Sequence, residues 1–205
     1  MKKIALFTLL LCFGNIYSQK KKKPEAVIPN VVIAKSGNAS AEMSKNNFYF
    51  FISNGAKKDT LLLKKYDVKA MPTLCSIKSY TTKGTPMYYV TWTESSIVET
   101  KLKKEETTTV ESQIWNPATK TLLIGNTQTA AKIKEIVFLD KLKTASETQE
   151  RTRKSGYEFV FLGEDFSLRD KSSDTKYTYN VTSMRYEVAK PTSPAGTKPT
   201  KKKRK

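Results

Sequence analysis

This chain has little with which to do chemistry. It contains no histidine in 205 residues. A histidine-based catalytic triad, a histidine-containing zinc site and a histidine pH switch are therefore excluded. Its two cysteines are Cys12 and Cys75, too few for a soft metal site of the usual kind. Cys75 lies in Thr73-Leu74-Cys75-Ser76-Ile77, where strand alternation turns it inward with Ile77. That reads as a buried structural thiol, because a reactive one needs an exposed, electropositive setting. No metal and no cofactor is expected.

Carboxylates, aromatics and basic runs remain. Glu164, Asp165, Asp170 and Asp174 cluster in sequence, but calcium needs six or more oxygens converging on one point. Their irregular spacing reads as a solvated turn, and no pair of carboxylates stands out as a glycosidase pair would. Tyr88, Tyr89, Trp92, Phe159, Phe161, Tyr177 and Tyr179 could stack on sugars or bases. On half-buried strands they are better read as cross-strand packing. Arg151, Arg153 and Lys154, with Lys141 and Lys143 nearby, could hold phosphate groups or form a solvated polar loop. The strongest binding candidate is the run Lys201, Lys202, Lys203, Arg204 and Lys205, suited to an anionic surface.

That run looks like a nuclear import signal or a nucleic-acid arm, but the other end of the chain argues against both. Met1-Lys2-Lys3, the apolar run Ile4–Phe13 and the break Gly14-Asn15-Ile16-Tyr17-Ser18 have the order of a secretory signal peptide. Cleavage after Ser18 is expected, leaving Gln19 first and the protein periplasmic or secreted. About ten apolar residues cover only roughly 15 Å of a ~30 Å hydrocarbon core, which argues against an anchor. Leu11 is large where the residue before a lipidated cysteine is small, which argues against lipidation of Cys12. After cleavage no transmembrane segment remains, no nucleic-acid partner is expected, and Cys75 has no intramolecular disulfide partner.

The net charge of +18 is unevenly spread. Residues 1–23 carry six lysines and no acid, and residues 189–205 carry seven basic residues and no acid. Residues 24–188 hold the other twenty-four basic residues against nineteen acids, a net of +5. The expected organisation is a signal peptide at 1–18, a basic arm at 19–25, a β-rich domain at 26–188 and a disordered basic tail at 189–205. The tail has no large apolar side chain with which to offset its ordering entropy.

The body reads as strands. Asn47–Ser53, Thr60–Tyr66, Met87–Thr93, Ile97–Leu102, Thr107–Trp115, Thr119–Ile124, Tyr157–Leu162, Phe166–Arg169 and Tyr177–Val188 are rich in β-branched and aromatic residues. Turns are expected at Asn54-Gly55, Lys103–Glu106, Asn116-Pro117 and Gly163–Asp165. Val98, Leu102, Val110 and Ile114 share one parity, which predicts one apolar face across two strands. In the last strand the apolar parity switches between Val181 and Met184, which predicts a β-bulge near Thr182-Ser183. Lys132–Leu139 suits either a helix or a strand and leans to strand. Ser146-Glu147-Thr148-Gln149 has capping-box spacing, and Gly156 could close a short helix over 146–154. The fold class is mainly β: a single antiparallel β domain, sandwich or curved open sheet, with at most one or two short helices.

Two short resemblances carry little. Lys65–Leu74 (KYDVKAMPTL) resembles the segment before the cis-proline strand of thioredoxin-like proteins. Those proteins also carry an upstream Cys-x-x-Cys, and no cysteine lies between Cys12 and Cys75, so a redox function has no carrier. Asp59-Thr60-Leu61 is similar to the acceptor of a periplasmic O-glycosylation system of some Gram-negative bacteria. The expected function is a non-catalytic binding or interaction protein of the bacterial cell envelope, its basic ends associating with anionic lipid or polysaccharide. A carrier of a lipid-like ligand in a curved sheet, or an enzyme with a carboxylate-based site, are the alternatives.

Overall fold

A computed structural model describes residues 30–66 and 71–190. The leader, the basic arm, Lys201–Lys205 and part of the thioredoxin-like segment lie outside the described residues. Among those residues there is no helix and no cis peptide bond. Every sheet is antiparallel, and strands pair in sequence order. The first sheet holds β1 (Val31–Ser36), β2 (Ala39–Ser44), β3 (Asn47–Asn54) and β4 (Lys57–Lys65). The second holds β5 (Thr73–Thr82), β6 (Thr85–Glu99), β7 (Lys103–Asn116), β8 (Thr121–Phe138) and β9 (Ser146–Ser155). The third holds β10 (Glu158–Phe161), β11 (Phe166–Arg169), β12 (Asp174–Asn180) and β13 (Arg185–Val188).

The second sheet is the middle layer of three. Alternate residues of β6 point to opposite faces, and both parities are buried near its start. Tyr88, Val90 and Trp92 join Phe48, Phe50 and Leu63 of the first sheet in one core. Met87 and Tyr89 join Phe166, Tyr179 and Tyr186 of the third sheet in the other. This is why MYYVTW reads as a continuous apolar run rather than an alternating one. The second core is an aromatic ladder: Tyr89 stacks on Phe161 at 4.8 Å, Phe159 on Phe166 at 4.7 Å, and Phe166 on Tyr177 at 5.0 Å. The candidate stacking aromatics are therefore interlayer packing.

Both covering layers stop partway along the middle sheet. From Ser95 in β6 and Thr108 in β7 onward the sheet continues as a blade to the β6–β7 and β8–β9 connections. From Ala130, opposite Thr108, to Phe138, β8 carries it roughly 27 Å at ~3.4 Å per residue. All ten residues of its edge strand β9 are exposed. Five of them are charged, which discourages another strand from adding to that edge.

Four local expectations are corrected. Residues 146–154 form strand β9, not a helix: ladder pairing with β8 outweighs the capping-box signal. The expected bulge at Thr182-Ser183 is a turn between β12 and β13, so 177–188 is two strands. Asn180 Oδ1 accepts hydrogen bonds from the Thr182 and Ser183 amides at 2.9 and 3.4 Å, and Met184 takes φ 53°. The turn expected at Lys103–Glu106 lies at 100–102, which puts Val98 opposite Glu105 and on the other face from Val110 and Ile114. The shared apolar face therefore does not form. Finally, the β3–β4 hairpin closes on two residues, Gly55 and Ala56, rather than on the longer loop implied by strands ending at Ser53 and starting at Thr60.

Candidate functional site

Charged side chains converge most closely where the first sheet meets the middle one. Lys64, near the end of β4, points its ammonium between two carboxylates. Its Nζ lies 2.9 and 3.0 Å from the Glu94 oxygens and 2.8 Å from Glu111 Oε1. Trp92 and Glu94 share one face of β6, and the Trp92 indole N–H donates to Glu94 Oε1 at 2.8 Å. The Tyr66 hydroxyl donates to the same oxygen at 2.8 Å, and Thr127 Oγ1 donates to Glu111 Oε2 at 2.7 Å. No motif in the sequence marks this cluster. The only available signal was strand parity, which sets Glu94 and Glu111 on one face once the β6–β7 register is known.

The electrostatics run against acid–base chemistry. Burial alone would raise the Glu94 carboxyl, but the hydrogen bonds from Trp92, Lys64 and Tyr66 outweigh it and hold the carboxyl below its ordinary value. Burial likewise opposes the charge on Lys64, yet its bonds to Glu111 and Glu94 push the ammonium up. Burial, and then Glu94, raise the Tyr66 phenol far above its usual range. A general acid at neutral pH needs a raised carboxyl, and a lysine base needs a lowered ammonium. The arrangement is that of a charged clamp between two layers, with every polar atom engaged.

The other candidates are distributed. Asp165 pairs with Lys176 at 3.0 Å and Asp174 with Arg169 at 2.8 Å. Asp170 accepts from the Ser172 and Ser173 amides, both at 2.7 Å. Among the described residues no group of three or more acids or cysteines could hold a metal ion. Cys75 is half-buried against the first core beside Ile77, and burial raises its thiol to about 11. Thr60 is exposed on β4, while Asp59 pairs with Lys120 at 2.6 Å.

The internal basic cluster is split by strand alternation. Arg151 and Arg153 face one side of the blade, and Lys154 faces the other. Arg151 pairs with Glu135 at 3.0 Å and Arg153 with Glu105 at 2.9 Å. They stand opposite Ile133 and Ala131, which are buried although neither belongs to a core cluster. Long basic side chains shield apolar neighbours with their stems in this way. On the far side Lys104, Glu106, Lys132, Lys134 and Glu150 line a hollow of about 480 Å³. Lys141 and Lys143 lie apart from both faces, in the connection at the blade's end.

No known protein family, curated protein or solved structure matches this chain. A functional reading therefore rests on the sequence and on this geometry.

Proposed function

We propose that the chain is a secreted or periplasmic, non-catalytic binding protein of the bacterial cell envelope, whose basic ends associate with an anionic surface. The observation that carries this reading is the blade. A large part of the middle sheet lies outside both cores with no layer packed over either face, an outlay of ordered backbone that stability alone does not explain. Its hollow is lined by charged side chains, which suits contact with polar or ionic groups better than storage of an apolar ligand. The convergent charges elsewhere are consumed in joining the layers. Most of the chain's excess charge resides in its ends, where each lysine near an anionic surface contributes about 1 kcal/mol.

The test is binding to vesicles rich in anionic lipid, and to lipopolysaccharide, at low and raised salt. The parent should bind at low salt and release as salt rises. Replacing Lys20–Lys23 and Lys201–Lys205 by serine should weaken that binding strongly without lowering the melting temperature. Equal binding by this variant would overturn the role of the ends. N-terminal sequencing of exported protein should begin at Gln19, and intact Met1 in the cytoplasmic fraction would overturn the location.

A further inference from the structure

The end of the blade repeats one tripeptide. Lys101-Leu102-Lys103 spans the β6–β7 turn, and Lys141-Leu142-Lys143 lies in the β8–β9 loop. The meander brings both connections to the same end of the sheet, where the Ile136 amide donates to the Leu102 carbonyl at 2.8 Å. Leu102 is 45% exposed, Leu139 62% and Leu142 83%. Single exposed leucines are ordinary, but here three share one tip with five lysines. Residues 99–104 and 139–145 together carry those five lysines against two acids, a net of +3. Lys103 and Lys104 pair with Glu105 and Glu106 at 2.6 and 2.8 Å, which leaves Lys101, Lys141 and Lys143 for an outside partner.

The longer loop is built to hold its leucines outward. Asp140 accepts from the Thr144 amide at 2.8 Å, from the Ala145 amide at 3.2 Å and from the Thr144 hydroxyl. The Leu139 amide donates to the Ala145 carbonyl at 3.0 Å, closing the loop's base. Lys143 takes φ 59°, and its ammonium lies 5.4 Å from the centre of the Phe138 ring. The acid of the loop is thus turned back into its own backbone, and two lysines flank the outermost leucine.

We propose that this tip enters the surface of an anionic lipid bilayer. Leu142, Leu139 and Leu102 reach the boundary between headgroups and acyl chains, and Lys101, Lys141 and Lys143 meet the phosphates. Apolar area and cations contribute together in interfacial binding, and lysine stems let the charge stay at headgroup level while the leucine goes deeper. The charge complementarity selects lipid over an apolar protein groove, which would have to bury those ammonium groups at high cost. The inference rests on the envelope-surface reading above and gives it a point of contact on the folded body.

The experiment uses full-length exported protein and vesicles of phosphatidylcholine with about one-third phosphatidylglycerol. A tryptophan introduced by Leu142→Trp should be quenched by brominated lipid in the bound state, whereas the buried Trp92 and Trp115 of the parent should not be. Leu139→Ser with Leu142→Ser should weaken vesicle binding about tenfold or more with no fall in melting temperature. An unquenched Leu142→Trp protein that is vesicle-bound overturns the insertion while leaving charge-driven adhesion by the ends intact. Equal affinity of the double-serine variant does the same. A parent that binds no vesicle at any salt overturns both readings.

Discussion

The phenol oxygens of Tyr80 and Tyr186 lie 2.7 Å apart across the boundary between the middle and third sheets. Tyr186 donates its single proton to the Glu164 carbonyl at 3.1 Å, so Tyr80 is the donor of the shared bond. Burial, more than any neighbour, pushes the Tyr186 phenol up to about 12 and the Tyr80 phenol higher still. Both stay neutral at physiological pH, and the chain Tyr80 to Tyr186 to Glu164 keeps one direction.

That direction predicts unequal effects of removing the two hydroxyls. Tyr80→Phe deletes one hydrogen bond and should cost about 1 kcal/mol. Tyr186→Phe deletes two and strands both the Tyr80 hydroxyl and the Glu164 carbonyl, so about 2 kcal/mol is expected. Urea midpoints of the two variants check the order. Equal losses would mean that the hydroxyls do not act in series.

Lys64 answers two carboxylates, so its loss should be felt more than that of a surface cation. A fully buried broken pair costs about 3–5 kcal/mol. With 32% of the Lys64 side chain exposed, Lys64→Met should cost about 2 kcal/mol. Glu94 has a folded pKa below its unfolded one. Its contribution is therefore complete above the unfolded value of ~4.3 and is lost as pH falls through the lower folded value. Urea midpoints taken from neutral pH down into that acid range should fall less steeply for Glu94→Gln than for the parent. Parallel profiles would remove Glu94 from the acid transition.

Gly156 joins β9 to β10, where the chain leaves the middle sheet for the third. Its φ is 79°, and a Cβ there would meet the Thr127 carbonyl oxygen at 2.1 Å. Gly84 has a similar φ of 81° with nothing within 4 Å. Gly84→Ala should therefore cost only the conformational term, about 1 kcal/mol. Gly156→Ala should cost roughly 2 kcal/mol more, since backbone has to move. Thermal melts of the two variants separate strain from collision.

Strand-forming stretches bounded by turn residues were legible in the sequence. Gly163–Asp165 marks the β10–β11 hairpin, Asn54-Gly55 and Asn116-Pro117 mark two other turns, and the β-branched run at 132–139 belongs to β8. Places where local chemistry gives way to ladder pairing were not. Residues 146–154 carry capping-box spacing and a closing Gly156 without the alternating apolar face that marks a strand, but a strand at the edge of an uncovered sheet needs no such face. The 181–184 turn uses Met184 at positive φ, where glycine or asparagine would have signalled it. The Lys64 clamp and the doubled Lys-Leu-Lys tip depend on a register that shifted three residues from its expected turn. Side chains far apart in sequence become neighbours only through such pairings.

The sequential order of the sheets also fixes how this chain can acquire its shape. Each sheet is one uninterrupted segment, so every ladder can zip from a neighbouring hairpin without waiting for distant chain. Stacking is the step that joins remote parts. During synthesis the first sheet emerges before its platform, and the platform before its second cover. Until residues 158–188 arrive, the face bearing Met87, Tyr89 and Ile114 stays open to water. In that interval the uncovered face is open to wrong partners.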